Sequence, residues 1–281
     1  MLGSALHHQF LNDEALAAYD QAWQQHYQTA EVLYEQITTL SALGRYAEAL
    51  SRAEEYVLRF PQDVSAWRLR AGMLHALERY EEALADFAQA RQLEAPTPDV
   101  LEAEITAYGA LQRFAEALPL SEDYLRDAPD DAAAWRTRGA VLTGLQRYEE
   151  ALAAYNHARE LQAPATSVLH GQITAYCALR RFAEALPLSE EYVRLAPDDV
   201  IAWGSHAAVL EGLRRREESI AAYDRALALQ PDLLWALERR ASALWWSGHR
   251  REALRTLLHF GAVSATTRRA ERVRRAQQPR R

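Results

Sequence analysis

LTGLQRYEEAL, residues 142–152, is one of seven versions of a single phrase set 34 residues apart. The others are LSALGRYAEAL at 40–50, LHALERYEEAL at 74–84, YGALQRFAEAL at 108–118, YCALRRFAEAL at 176–186, LEGLRRREESI at 210–220 and LWWSGHRREAL at 244–254. A fixed period without insertions is the signature of a solenoid, in which each unit packs on its neighbours. Around the quoted stretch, Trp135, Gly139, Leu142 and Leu145 recur at three and four residues, as on one face of a helix. A short break near Gln146 and Arg147 follows, and then a second stripe of Tyr148, Ala151, Leu152, Tyr155 and Ala158. The Ala and Gly positions let the two helices approach closely, and Trp135 is expected to wedge between them. Such a hairpin cannot bury both faces alone, so the hairpins must stack.

Counted from residues 30, 64, 98, 132, 166, 200 and 234, the repeats share further landmarks. Position 4 is Trp67, Trp135 or Trp203, or else Leu33, Leu101, Leu169 or Leu237. Position 17 is Tyr46, Tyr80, Phe114, Tyr148 or Phe182, and position 20 is Ala49, Ala83, Ala117, Ala151, Ala185, Ser219 or Ala253. Position 32 is Pro61, Pro129, Pro197 or Pro231, with the proline slipped to Pro96 and Pro164 elsewhere. In these features the chain resembles the tetratricopeptide-repeat (TPR) family over nearly its whole length. The resemblance implies an all-α, right-handed superhelical solenoid of stacked helix-turn-helix units. Seven 34-residue repeats would fill 30–267, a partial repeat 1–29, and an Arg-rich tail or weak capping helix 268–281.

A second period lies inside the first. Units starting at 30, 98 and 166 carry Ile37-Thr38, Ile105-Thr106 and Ile173-Thr174, and a late tyrosine at Tyr56, Tyr124 and Tyr192. The alternate units carry the tryptophan, an aromatic at position 24 (Phe87, Tyr155, Tyr223) and Ala90, Ala158 or Ala226 at position 27. Where position 24 is small (Ala53, Ser121, Ser189), the bulk has moved one turn along the helix. The building block is therefore 68 residues long, used three times. Pro119 and Pro187 stand beyond the first turn of their helices and are expected to bend them.

Composition narrows the function. The chain has 281 residues, 49% of them hydrophobic, and a net charge of −7. All 32 basic residues are Arg, a usage of the kind GC-rich bacterial coding gives. Without Lys there is no Walker phosphate loop and no Schiff-base lysine. One cysteine, Cys177, excludes a disulfide framework and a cysteine-based zinc site, and it falls in a slot for small residues. The nine histidines show no metal-ligand spacing. Glu81-Glu82 and Glu149-Glu150 open second helices, where they favour the positive helix end, and read as solvated faces. No cofactor, metal or catalysis is expected. No 18-residue apolar stretch and no apolar leader occurs, which points to the cytoplasm and away from membranes.

What remains is a binding surface. The TPR resemblance implies that first helices line the concave side, mainly through positions 2, 5, 9, 12 and 13. Position 5 reads Tyr34, Arg68, Glu102, Arg136, His170, Gly204 and Glu238. The lysines and asparagines with which chaperone-binding relatives clamp a terminal carboxylate are absent from those places, so that activity is not implied. In the last repeat Trp235, Ser242 and Trp246 are spaced seven and four residues apart. At about 100° per residue, Ser242 and Trp246 lie within roughly 20° of Trp235, with Trp245 and Glu238 beside them. Clustered exposed aromatics mark an interface; capping by the Arg tail and a small-molecule pocket are the alternatives. The candidate partner-binding residues are thus Tyr34, Arg68, Glu102, Arg136, His170, Trp235, Glu238, Ser242, Trp245 and Trp246.

The expected function is a scaffold that binds a partner protein or peptide. The alternative is a sensor or oligomerisation module of a larger protein, self-associating through the C-terminal tryptophans or the N-terminal edge, where Leu2, Leu6 and Phe10 would face an incomplete neighbour. Residues 266–281 carry a surplus of six positive charges, which leaves the first 265 at −13. Nucleic-acid contact through that tail is the weakest reading, because phosphate binding wants a broad basic surface.

Overall fold

A residue in the left-handed region at position 15 ends each first helix on the repeat register. It is Gly44, Glu78, Gln112, Gln146, Arg180, Arg214 or Gly248, with φ between 58° and 88°. In the first repeat the N–H of Arg45 reaches back to the carbonyl of Leu40 and that of Gly44 to Ser41, at 2.9 Å each. This closing pair satisfies carbonyls the helix end would leave open. The same six-residue bond recurs from Arg79, Arg113, Arg181, Arg215 and His249. Each turn then delivers an arginine or histidine at position 16, directly before the second helix. Arg45, Arg79, Arg113, Arg147, Arg181 and Arg215 each grip the glutamate three residues on.

This computed structural model describes residues 2–25 and 27–277, with side chains for 12–25 and 27–266. Fifteen helices are present among them. They are α1 (Leu2–Gln24), α2 (Ala30–Ala42), α3 (Tyr46–Arg59), α4 (Val64–Ala76), α5 (Tyr80–Leu93), α6 (Pro98–Ala110), α7 (Phe114–Asp127), α8 (Ala132–Gly144), α9 (Tyr148–Glu160), α10 (Ala165–Ala178), α11 (Phe182–Leu195), α12 (Val200–Gly212), α13 (Arg216–Leu229), α14 (Leu234–Trp246) and α15 (Arg250–Gln277). The fold is an all-α TPR solenoid. The side chains of Leu2, Leu6 and Phe10, and of Ala270, Val273 and Ala276 in the tail, lie outside the described residues.

The helices gather into two compact units, residues 1–145 with α1–α8 and residues 146–281 with α9–α15. In the first unit each helix packs on the next, and α2 also touches α4, α4 touches α6 and α6 touches α8. In the second unit α10 touches α12 in the same way. First helices thus form an inner row within each unit. Position 20 is fully buried in Ala49, Ala83, Ala117, Ala151, Ala185, Ser219 and Ala253, the close-approach point of each hairpin.

The 68-residue period has a physical basis. Tyr56, Tyr124 and Tyr192 donate their hydroxyls to Asp63, Asp131 and Asp199 at 2.6, 2.8 and 2.8 Å. The second oxygen of each aspartate caps the next helix, accepting from the N–H of Ser65, Ala133 or Ile201 at 2.8–2.9 Å. The Trp67, Trp135 and Trp203 indoles donate to the carbonyls of Pro61, Pro129 and Pro197 at 2.8–2.9 Å. Burial and the aspartate bond hold the Tyr56 and Tyr124 phenols well above their ordinary pKa, and push Tyr192 up to about 12. Joints in the other phase lack this clasp: Thr97, Pro164 and Leu233 precede their helices without a side-chain cap.

One expectation is refined. Trp135 is half-buried, not enclosed, because its indole N–H reaches the proline carbonyl at the joint. Helices α7 and α11 run through Pro119 and Pro187 without a break. Both prolines are exposed, as are Ala115 and Ala183, whose carbonyls they leave without a donor.

Candidate functional site

The inner row of the second unit contains a cavity of 320 Å³. Ile173, Thr174 and Cys177 of α10, Ile201, Gly204, Ser205 and Ala208 of α12, Tyr223 of α13, and Trp235 and Arg239 of α14 line it, with His170 at one side. Gly204 makes the space: a Cβ there would run into the Trp235 indole, whose Cζ3 lies 2.8 Å from the point it would occupy. Trp235 remains 37% exposed and forms an aromatic wall.

Polar groups of the lining are already engaged with one another. His170 Nδ1 and Ser205 Oγ are 3.2 Å apart. Arg239 pairs with Glu211 at 2.9 Å and bonds the buried Tyr223 hydroxyl, which burial and Glu211 hold well above the ordinary phenol pKa. Desolvation raises Glu211 and lowers His170. Burial pushes the Cys177 thiol up to about 11, so it stays protonated near neutrality, as a small packing residue does. The cavity therefore offers apolar walls, a neutral imidazole and an arginine whose charge is met from within.

A counterpart stands 136 residues earlier, in the first unit. Tyr34, Ser65, Arg68, Leu69, Gly72, Phe87, Asp99, Val100 and Ala103 line a cavity of 470 Å³ with Thr97. Register matches at eight places, among them Tyr34 for His170, Arg68 for Gly204, Phe87 for Tyr223, Asp99 for Trp235 and Ala103 for Arg239, while Ile173, Thr174 and Cys177 have no counterpart in the first-unit lining. Here the arginine side chain enters the space. It donates to the Ala95 carbonyl at 3.0 Å and lies 3.6 Å from Glu94, and its Nε is buried without a hydrogen-bond partner. At the same register in the middle module, Arg136 pairs with Glu102.

The remaining predicted residues separate. Ser242 and Trp246 line another depression, of 360 Å³, with Glu211, Arg216 and Ala243. Trp245 lies under the Arg250 guanidinium at 5.7 Å. Glu238 is exposed. The three tryptophans of α14 thus occupy three settings instead of one cluster. Among the described residues no group of three His, Cys, Asp or Glu side chains converges as metal ligands would. Sequence reasoning passed over positions 6 and 24, which supply Ser205, Arg239 and Tyr223; the alternating aromatic at position 24 was the available signal.

The family profile of the tetratricopeptide repeat matches residues 34–98, 103–165 and 170–233, each match spanning a pair of hairpins. The chain belongs to the tetratricopeptide-repeat family. A comparison of this TPR chain with curated proteins finds no match. Among solved structures, a tetratricopeptide repeat protein from Parabacteroides merdae ATCC 43184 is similar with a TM-score of 0.71 at 16% identity, over 85% of this chain and 93% of that one. The APC/C hetero-tetramer Cut9–Hcn1 gives a TM-score of 0.70 at 16% identity over 83% of this chain. This TPR chain spans 46% of the matched chain of that assembly. A thermophilic TPR protein of Thermus thermophilus gives 0.56 at 21% identity, over 65% of this chain and all of that one. At these identities the likeness is one of fold.

Proposed function

We propose that this TPR protein is a non-catalytic, cytoplasmic scaffold that holds an extended segment of a partner protein along its inner row of first helices. The observation that carries the reading is the open cavity at Gly204, a concave apolar site with few polar groups on the inner row. The family's repeats commonly mediate protein–protein interaction, and Cut9 and Hcn1 assemble as a hetero-tetramer, which supports the reading without naming a partner. No described helix is long and apolar enough to cross a membrane. The body, at −13, disfavours nucleic acid.

Photo-crosslinkers at exposed Thr106 and Thr174, on first helices, and at Pro119 and Pro187, on second helices, test this in extracts of the native cell. The scaffold reading expects discrete protein adducts from the first pair alone. Adducts from the second pair alone would overturn it.

A second reading, self-association, has one specific support. Leu254, Leu257 and Leu258 of α15 are exposed, whereas the residues at position 24 of the six preceding repeats are all buried. Sedimentation should then show a dimer that Leu254→Arg with Leu258→Arg dissociates.

A further inference from the structure

The Gly204 cavity and its Arg68 counterpart share one framework, and that framework shows what each is built to hold. In the first unit an arginine lines the cavity, donating to the Ala95 carbonyl with Glu94 3.6 Å away. In the second, glycine lets the Trp235 indole take the place a side chain would occupy, and the cavity opens beside that ring.

We propose that the Gly204 cavity is a socket for one uncharged aromatic side chain, presented by the extended partner segment. This rests on the scaffold reading and names what that partner must carry. Three observations select the chemistry. Ile173, Ala208 and Tyr223 line the space with apolar surface, and a charge buried there would lose hydration that Arg239, already paired with Glu211, does not make good. An entering anion would compete with Glu211 for Arg239, and an entering cation would meet that arginine. Finally, Trp235 offers a flat, exposed face for offset or edge-to-face ring packing, an advantage over area burial that aliphatic side chains lack. The neutral imidazole of His170 stands at the rim, within reach of a phenol or indole edge.

The chain's single cysteine makes the socket readable, because Cys177 lines it. Alkylation of Cys177 by N-ethylmaleimide at mildly alkaline pH is measured on the full chain. The probes are millimolar N-acetyl-tryptophanamide, N-acetyl-tyrosinamide, N-acetyl-leucinamide, N-acetyl-argininamide and N-acetyl-aspartic acid amide. The aromatic amides should slow alkylation at least threefold, the leucine amide less, and the charged amides not at all. Trp235→Ala, an exposed substitution that leaves the fold in place, should remove most of the aromatic protection; Gly204→Arg should remove all of it. Equal or better protection by the leucine or a charged amide overturns the aromatic assignment, as does aromatic protection that survives Trp235→Ala. Failure of every amide while Thr174 still crosslinks to a partner sinks the socket and leaves the scaffold standing. Loss of both sinks the scaffold reading with it.

Discussion

Gly204 and Arg68 hold the same place in two copies of one framework, and the copies differ in what that place is for. Around each stand the first helices of successive repeats and an aromatic floor, Tyr223 in one and Phe87 in the other. Around Arg68 an arginine lines a cavity that keeps 470 Å³, and the polar cost is only partly met, since the Nε has no partner. Around Gly204 the polar groups are paired among themselves and the volume is left open. The repeat thus supplies a standard site, and the residues at positions 2, 5 and 6 vary its shape. Fold and site are separable: joints, caps and close-approach alanines are common to both units, while the lining varies.

The contrast between a tryptophan that holds the frame and one that lines the site gives the largest expected effect. Trp67 packs on the core of the first unit and bonds Pro61, so Trp67→Ala should cost about 2–3 kcal/mol by chemical denaturation. Trp235→Ala, at a partly exposed position where the indole packs on Gly204, should cost less, about 1 kcal/mol. Comparable losses would mean that Trp235 is part of the core and that the cavity is a packing defect.

Arg68→Gly sharpens the comparison from the other side. It should enlarge the first-unit cavity and let N-acetyl-tryptophanamide perturb nearby amides of α4 in NMR spectra. The cost should be about 1 kcal/mol, mainly the helix penalty of glycine. Spectra indifferent to the probe would show that position 5 does not control access.

Acid should separate the two open sites. His170 has its pKa lowered by desolvation, so it is neutral near pH 7 and gains charge only as pH falls through that lowered value. Asp199 partly opposes the shift, and Arg239 and Glu211 stand nearby. Binding of an uncharged ring favours the neutral imidazole, so affinity should be constant above the ordinary histidine range and decline below it. In the Arg68→Gly protein, Tyr34 stands at the equivalent place, and a phenol gains no charge in acid. Identical acid profiles at the two sites would exclude the rim histidine from the site.

The smallest effect is a control on the frame. Gln112 closes α6 with φ of 58°, a conformation Gly44 adopts without a side-chain penalty. Gln112→Gly should stabilise the first unit by about 1 kcal/mol and leave both cavities unchanged. Destabilisation would show that the Gln112 side chain makes a contribution larger than the backbone strain.

The period made the frame legible. Strict spacing placed the first helices within one residue of their observed starts, because each turn must end on the same left-handed residue before the next helix begins. The alternation of Tyr56 and Trp67 types was also visible, but its cause was not. Asp63, Asp131 and Asp199 each join a tyrosine to a helix start, a link that residue spacing alone does not display. The tryptophan cluster failed for a geometric reason. Trp235 and Trp246 share a direction around the helix but are eleven residues apart, about 16 Å along its axis, so they face different hollows. Socket residues from position 24 were missed because a buried aromatic reads as packing until a glycine nearby leaves its ring facing a space.

The most direct test of the central claim compares Cys177 reactivity in the native chain and in Gly204→Arg, without any ligand. If the packing of Trp235 on Gly204 keeps the site open, an arginine at 204, which must displace that indole, should slow Cys177 alkylation about tenfold with the helical circular-dichroism signal unchanged. Alkylation that is unchanged or faster, in a protein that remains folded, would contradict the account.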